Sequence, residues 1–388
     1  MRIALDARTV YAPRRRGIGR SLLRLYEAIA AIRPDWEVEA LHRKGGSPHE
    51  PIPPATLAAM GEGFWQPRGI EMPGDRFDAW NRYRLPAEAA RRGASVLHCP
   101  ANAAPRWAKT PAVVTVHDLI PLEVDDGLSP AQRRRFETWV RNAADTAAKI
   151  VCVSKHTAEG IARRFPQAAG RLEVCHHGLD PIAPPTAEAI ERVKARYPLD
   201  RPFVLHLGAA GPRKNTTRTL EAWSKLRRSW RESHRLVVVG LDPITRQRLS
   251  ANLGPMGLGD NVSLNGFADA ADLPVLMHLA EALVFPTLAE GFGLPVLEAF
   301  AAGTPVVTSD RGAVPEVAGG AAAIVDPSEA ASIAGGLQRV LGDEALRSDL
   351  IARGRRRAAA FTWDEAAGTY AAILEAAAGQ PRRRRRAA

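Results

Sequence analysis

Cysteine is scarce: Cys99, Cys152 and Cys175 are the only three in 388 residues. They are widely spaced and each sits among strand-forming residues. An odd, scattered set suits neither a zinc site nor a disulfide framework, and reads as buried thiols of a reducing compartment. No run approaches the ~18 consecutive apolar residues of a membrane-spanning helix. Read from Met1, a signal peptide would carry Asp6 inside its apolar region, so the expected location is the cytoplasm. Aromatic residues make up 6% of the chain, and no basic strand is studded with them. That argues against an RNA-binding sheet and against nucleic acid as a partner.

Bases outnumber acids, 53 to 42, for a formal charge of +11. The excess is clustered at Arg14–Arg16, Arg133–Arg135, Arg353–Arg357 and the run Arg382–Arg386. Such clusters suit an anionic partner, whether a membrane surface, a phosphorylated substrate or nucleic acid, or are simply solvated helix faces and a tail that aids solubility. A chain of 388 residues exceeds what one core supports, so two domains are expected. Short β-branched runs alternate with helical patterns throughout. The first half offers 2–7, 96–100, 112–118, 149–154 and 172–178; the second offers 203–209, 235–240, 262–266, 281–287, 305–310 and 322–327. Near-continuous apolar strands between helices indicate parallel sheets covered on both faces. The break falls at 180–202, where five prolines gather around a short helix at 187–197. Ser129-Pro130-Ala131-Gln132 reads as a capping box opening a helix whose Phe136, Trp139, Val140, Ala143 and Ala147 are core.

The stretch PTLAEGFGLPVLEAF, 286–300, places two acids around a glycine turn. Pro295 suits the first turn of a helix and Gly303 its end, so Glu290 lies in a loop and Glu298 one turn inside the helix. Amides of Gly291, Phe292, Gly293 and Leu294 at a helix start form an anion site. Carboxylates accept paired hydrogen bonds from vicinal hydroxyls. Phosphate between two hydroxyl-binding acids describes a nucleotide-sugar. No His or Asp joins the acids at metal-ligand spacing, and Glu298 is poorly placed for a hydrolase pair. A plainer reading has Glu290 merely capping the helix.

The stretch resembles the E-x7-E signature of retaining glycosyltransferases of the large fourth family of nucleotide-sugar transferases. HLGAAGPRKNTTRTLEAW (206–223), GFADAADLPVLMHLAEALVFPT (266–287), GTPVVTSDRGAVPEVAGGAAAIVDP (303–327), GIGRSLLRL (17–25), TVHDLIPLE (115–123), VCVSKHTAEGIARRF (151–165) and FTWDEAAGTY (361–370) resemble its other landmarks in order. The resemblance implies an α/β GT-B fold, two doubly wound Rossmann-like domains facing each other across a cleft. The acceptor-binding domain would span 1–182 and the donor-binding domain 200–361. A closing helix at about 362–378 would pack back on the first, and 379–388 would be a disordered tail.

By the same resemblance Glu298 binds the ribose and Glu290 the transferred sugar. Lys214 and Arg213 neutralise the diphosphate beside Gly208. Family members often carry arginine after that glycine; here Ala209 stands there, which puts more weight on Arg213. His117 reaches the donor sugar, while Asp118 with Gly17 and Gly19 lines the acceptor side. Ser154-Lys155 also closes a strand at the cleft, and Phe267 is either a neighbour of the base or a core aromatic. Catalysis would then rest on Glu290, Lys214 and His117, without a cofactor or metal. The expected reaction moves a hexose, mannose for preference, from a nucleotide-diphospho-sugar such as GDP-mannose to a glycan or lipid-linked glycan at the inner membrane face. Rivals are a non-catalytic binder of anionic partners, an inverting transferase of the same fold, and a sugar phosphorylase.

Overall fold

A computed structural model of the chain describes residues 1–44, 50–71 and 79–379. The arginine run 382–386 and its reading as a tail lie outside them. Every segment read as a strand is one. They are β1 (Arg2–Asp6), β4 (Val96–Cys99), β5 (Ala112–Val116), β6 (Lys149–Cys152) and β7 (Leu172–Val174), then β8 (Phe203–Leu207), β9 (Arg235–Val239), β10 (Val262–Leu264), β11 (Ala282–Phe285), β12 (Val306–Ser309) and β13 (Ala323–Val325).

Two strands escaped the reading: β2 (Glu37–Lys44) and β3 (Trp65–Glu71). In β2 an acid interrupts the apolar run. Glu39 is buried, and Arg68 and Arg92 approach its Oε2 to 2.6 and 2.8 Å. In β3, Pro67 and Gly69 look like breakers, yet the strand is the sheet's edge, where proline is tolerated.

The first sheet runs β3-β2-β1-β4-β5-β6-β7 and the second β10-β9-β8-β11-β12-β13, all pairings parallel. Each is a doubly wound order that reverses once, at β1/β4 and at β8/β11. Ligands of such sheets sit beyond the carboxyl ends of the strands at that reversal. The helices that matter below are α1 (Gly17–Ile32), α2 (Pro130–Thr146), α3 (Ala187–Arg196), α4 (Thr216–Ser224), α5 (Leu294–Ala302), α6 (Glu344–Ala359) and α7 (Trp363–Ala378). Among the described residues, no helix is long and apolar enough to cross a membrane.

The chain divides into two compact units. One comprises Met1–Leu119, Ser129–Gly178 and the chain from Phe361; the other comprises Ile120–Leu128 and Leu179–Ala360. These limits differ from 1–182 and 200–361, because the proline-rich segment is not a free linker. Its helix α3 is tied into the second unit by Arg192 and Arg196, both paired to the buried Asp272 at 3.2 and 2.7 Å. Helix α7 packs on α1 in the first unit, where Ala367, Tyr370, Ala371 and Leu374 join Leu22, Tyr26 and Ile29 in one core.

The capping box of α2 is present in both directions, with Ser129 and Gln132 exchanging bonds of 2.8 and 3.3 Å. Phe136, Val140, Ala143 and Ala147 are buried, but Trp139 is only half-buried and carries the Arg135 guanidinium 5.1 Å over its ring. All three cysteines are buried, and burial alone pushes the Cys152 thiol up to about 12. They are inert packing groups.

Two arginine clusters lose part of their expected role. Arg15 is buried, donating to the carbonyls of Val10 and Glu50 at 3.0 and 2.7 Å, so only Arg14 and Arg16 of that trio face solvent. On α6, Arg357 donates to the carbonyls of Val317 and Glu316 at 2.9 and 2.8 Å, and Arg353 to that of Gly320 at 2.7 Å. These satisfy the last carbonyls of the helix Val314–Ala318 and the turn after it.

Candidate active site

In the second unit the site is built at the β8/β11 reversal. The segment after β8 makes a single 3-10 turn, Pro212–Lys214, and α4 follows. The segment after β11 carries Glu290 and enters α5 at Leu294. Glu290 Oε1 accepts from Arg213 Nη1 at 2.6 Å and from Lys214 Nζ at 2.5 Å. One carboxylate oxygen therefore bridges both cations. The reading of Glu290 as a helix cap falls here, because α5 has no side-chain cap and the carboxylate points elsewhere.

Lys214 is deeply seated. Its ammonium lies 4.1 Å from the centre of the Phe285 ring, a cation–π contact that typically contributes about 0.5–2 kcal/mol. Burial lowers its pKa, while Glu290 and, more weakly, Glu298 push it back up. Glu298 lies inside α5 as expected and its charge reaches Lys214.

Backbone geometry explains the glycines. Gly293 has φ 110°, a left-handed turn that feeds α5, and Leu294 opens the helix with Pro295 behind it. Gly291 and Phe292 are buried beneath that turn. Gly312, at φ 62°, approaches so closely that a Cβ there would sit 2.6 Å from the carbonyl oxygen of Glu290. Ala313 then donates to that carbonyl at 2.9 Å, and together these fix the loop that presents the acid. Gly208 ends β8; a Cβ on it would press into Leu241 at 2.8 Å.

The residue that joins the two loops was not singled out from sequence. Asn215, buried and left-handed at φ 59°, donates through Nδ2 to Pro286 O at 3.0 Å and Pro327 O at 2.7 Å. Thr287 adds a bond from Oγ1 to Arg213 O at 3.0 Å. An asparagine before a helix signals only a cap, and here the side chain spans to two other loops instead. His206, buried behind Lys214, bonds Val284 O at 2.9 Å and Thr216 Oγ1 at 3.1 Å; burial takes its pKa down to about 4. Phe267 is 67% exposed at the carboxyl end of β10, so it is not a core aromatic.

In the first unit the carboxyl ends of β4 to β7 carry His98, His117, Cys175, His176 and His177 around a cavity of about 30 Å³, with Tyr370 of α7 in its wall. That volume suits water and is too small for a hexose. His98 is wholly buried and bonds Tyr26 at 2.8 Å and Tyr370 at 2.7 Å, locking α1 and α7 to the sheet. Burial, with a lesser contribution from His117, takes its pKa to about 3; the same holds for His177. His117 stacks on His177 with centroids 5.6 Å apart, and burial lowers its pKa as well.

The residues expected on the acceptor side, and Ser154, divide. Gly17 opens α1 and is exposed. Gly19 is a packing residue, since a Cβ there would meet Thr9 O at 2.1 Å. Asp118 follows His117 beyond β5 and is half-buried. Ser154 caps the helix Lys155–Arg164, accepting from Thr157 N at 3.1 Å. Among the described residues no three His, Cys, Asp or Glu side chains converge as metal ligands would.

Comparison with known proteins agrees over most of the chain. The model of "Glycosyltransferase Family 4" matches residues 15–182 and that of "Glycosyl transferases group 1" matches 188–357. The chain is 30% identical over 263 residues to O-antigen chain mannosyltransferase B of Escherichia coli, covering 65% of this chain and 67% of that protein. It is 30% identical over 355 residues to a D-inositol 3-phosphate glycosyltransferase of Streptomyces scabiei, covering 86% and 75%. Against the serotype-specific mannosyltransferase WbdA of Escherichia coli, 30% identical over 257 residues, it spans only 32% of that protein. The solved sucrose-phosphate synthase of Thermosynechococcus elongatus shares the fold, with a TM-score of 0.74 at 23% identity over 96% of this chain and 98% of that one.

Proposed function

The chain belongs to glycosyltransferase family 4, the group 1 glycosyl transferases, and from that premise we propose that it transfers mannose from GDP-mannose to a growing surface glycan with retention of configuration. The observation that carries the reading is the convergence of Arg213, Lys214 and Glu290 at the β8/β11 reversal beside the start of α5. Two cations and helix amides there suit a diphosphate, and both acids suit hydroxyls.

In the bond-breaking step the C1–phosphate bond lengthens, C1 gains oxocarbenium character and negative charge grows on the departing diphosphate. Lys214 and Arg213 stabilise that charge from fixed positions, which is the dominant kind of enzymatic stabilisation for such chemistry. Glu290 holds the sugar hydroxyls and Glu298 the ribose. The acceptor hydroxyl attacks on the face the nucleotide leaves, and the departing phosphate takes its proton. The mannosyl preference draws on the O-antigen mannosyltransferase among the relatives.

Thermal-shift titration with GDP, UDP, TDP and ADP tests the donor. A ligand at a hundred times its Kd stabilises the native state by about 2.7 kcal/mol, so GDP should raise the melting temperature most. A flat response to every nucleotide would count against the enzyme itself.

The acceptor is proposed to be lipid-linked, met on an anionic membrane. Arg14 and Arg16 leave the carboxyl end of β1, and the exposed Arg134 and Arg135 lie in the first turns of α2, after β5. His117 leaves β5 along the same edge, the one formed by the carboxyl ends of the strands. Each basic residue near an anionic bilayer contributes about 1 kcal/mol. Sedimentation with anionic liposomes should therefore show binding at low salt that fades as salt rises. Binding that vanishes only when Arg382–Arg386 is removed would assign it to the terminus rather than to this edge.

A further inference from the structure

Among the described residues, only Asn102 and Asn215 are non-glycine positions with positive φ, at 60° and 59°. Such a backbone is unfavourable for a residue with a Cβ, and persists where its surroundings over-determine it. Asparagine tolerates it better than most, so the conformation alone argues nothing. The side chains do. Asn215 clamps the turn that carries Lys214, as described above. Asn102 does the corresponding work in the first unit.

Asn102 lies in the loop leaving β4. Its own N–H donates to Thr115 O at 2.9 Å, which anchors it on β5. Its Oδ1 accepts the backbone N–H of His117 at 2.7 Å. Two residues earlier in the same loop, Pro100 O lies 2.7 Å from His117 Nε2. A carbonyl oxygen only accepts, so Nε2 must carry the hydrogen. In a neutral imidazole the other nitrogen, Nδ1, is then a bare acceptor. The ring face is held against His177, and Thr157 Oγ1 reaches His117 O at 3.4 Å. The loop 100–102 thus grips both the backbone and the ring of one histidine.

We infer that Asn102 is a positioning residue: it fixes the backbone of His117 so that the Pro100 carbonyl holds the ring as its Nε2–H tautomer and Nδ1 faces a substrate hydroxyl as an acceptor. The last step rests on the glycosyl-transfer reading; the tautomer does not. A ring free to exchange tautomers would present a donor part of the time, and a hydroxyl poised to donate would lose its partner.

The experiment uses the full chain with isotope-labelled histidine rings, read by NMR at mildly alkaline pH, where accessible histidines are neutral. The His117 signal is assigned by its loss in His117→Gln. Asn102→Gly keeps the left-handed backbone and removes the acceptor; Asn102→Asp restores an acceptor oxygen at the same place. The wild type should show a single Nε2–H tautomer, the glycine variant a mixture, and the aspartate variant the single tautomer again. In transfer assays Asn102→Gly should lose ten- to a hundredfold in kcat, about what a misplacement of 1 Å costs, with nucleotide affinity unchanged and Asn102→Asp recovering most of the loss. A single tautomer retained in Asn102→Gly, a mixture in the wild type, or failure of the aspartate to restore it overturns the inference. If the tautomers behave as stated while the wild type transfers no sugar, the positioning stands and the transfer reading alone falls.

Discussion

Lys214→Ala should lose transfer by a hundredfold or more and weaken nucleotide binding with it, whereas Glu290→Gln should lose transfer alone. The difference follows from the shared oxygen. Glu290 Oε1 bridges Arg213 and Lys214 in the free protein, at 2.6 and 2.5 Å. On the proposed reading, removing the lysine removes the cation that would stabilise the leaving diphosphate, an interaction of the kind that contributes about 3–4 kcal/mol to the transition state. Neutralising the acid leaves both cations in place, and less of their charge is compensated before substrate arrives. Nucleotide affinity of Glu290→Gln should then be equal to or tighter than that of the wild type, while kcat collapses because one of the two acceptor oxygens becomes an amide donor and the charge-assisted bonds to the sugar hydroxyls are lost. Calorimetric titration with the nucleoside diphosphate, beside steady-state kinetics, separates the two. Glutamine is preferable to alanine here, because it keeps the side chain's volume and an acceptor oxygen beside both cations, so no cavity is opened. Near-normal turnover of Lys214→Ala would remove the phosphate assignment.

The second large effect is acid instability. His98 and His177 are held near pKa 3 and His206 near 4, against 6.5 for the free side chain, chiefly by burial. Each is neutral when folded and takes up a proton when unfolded. Stability is therefore complete above about pH 6.5 and is lost as pH falls through the window down to the folded values. Each such histidine removes about 1.4 kcal/mol per pH unit within that window. Two of them lie in the first unit and one in the second, so the first should unfold at the higher pH. Ordinary carboxylates, with pKa values of about 3.9–4.3, stay about nine-tenths ionised down to pH ~5.3, which leaves the upper part of that window as the histidines' own. Melting temperatures measured across it should fall steeply, with two transitions separating. A constant melting temperature from neutrality to pH 4.5 is incompatible with three buried neutral histidines.

Much of this molecule is legible along the chain, because its signals are local. A buried parallel strand is an unbroken apolar run, a capping box is four consecutive residues, and the glycine turn between Glu290 and Glu298 announces a helix start. The strands that escaped, β2 and β3, are those in which local signals mislead: Glu39 is acceptable inside only because Arg68 and Arg92 arrive from elsewhere, and Pro67 only because its strand is an edge. Phe267 and Trp139 misled for a similar reason, since an aromatic's exposure depends on what packs over it.

The site divides along the same line. Residue types and spacing by themselves pointed to the parallel α/β architecture and to the acids at 290 and 298, while the cations at 213 and 214 were singled out by the family resemblance. Tertiary structure alone decided that Glu290 spans both cations, that Arg15 and Arg357 serve the fold rather than a partner, and that Asn102 and Asn215 grip the loops carrying His117 and Lys214. The physical reason is range. Helix starts and strand runs depend on neighbours within a few residues, whereas an ion pair between residues 214 and 290 or a hydrogen bond from Asn215 to Pro327 exists only after parallel strands distant in sequence have been laid side by side.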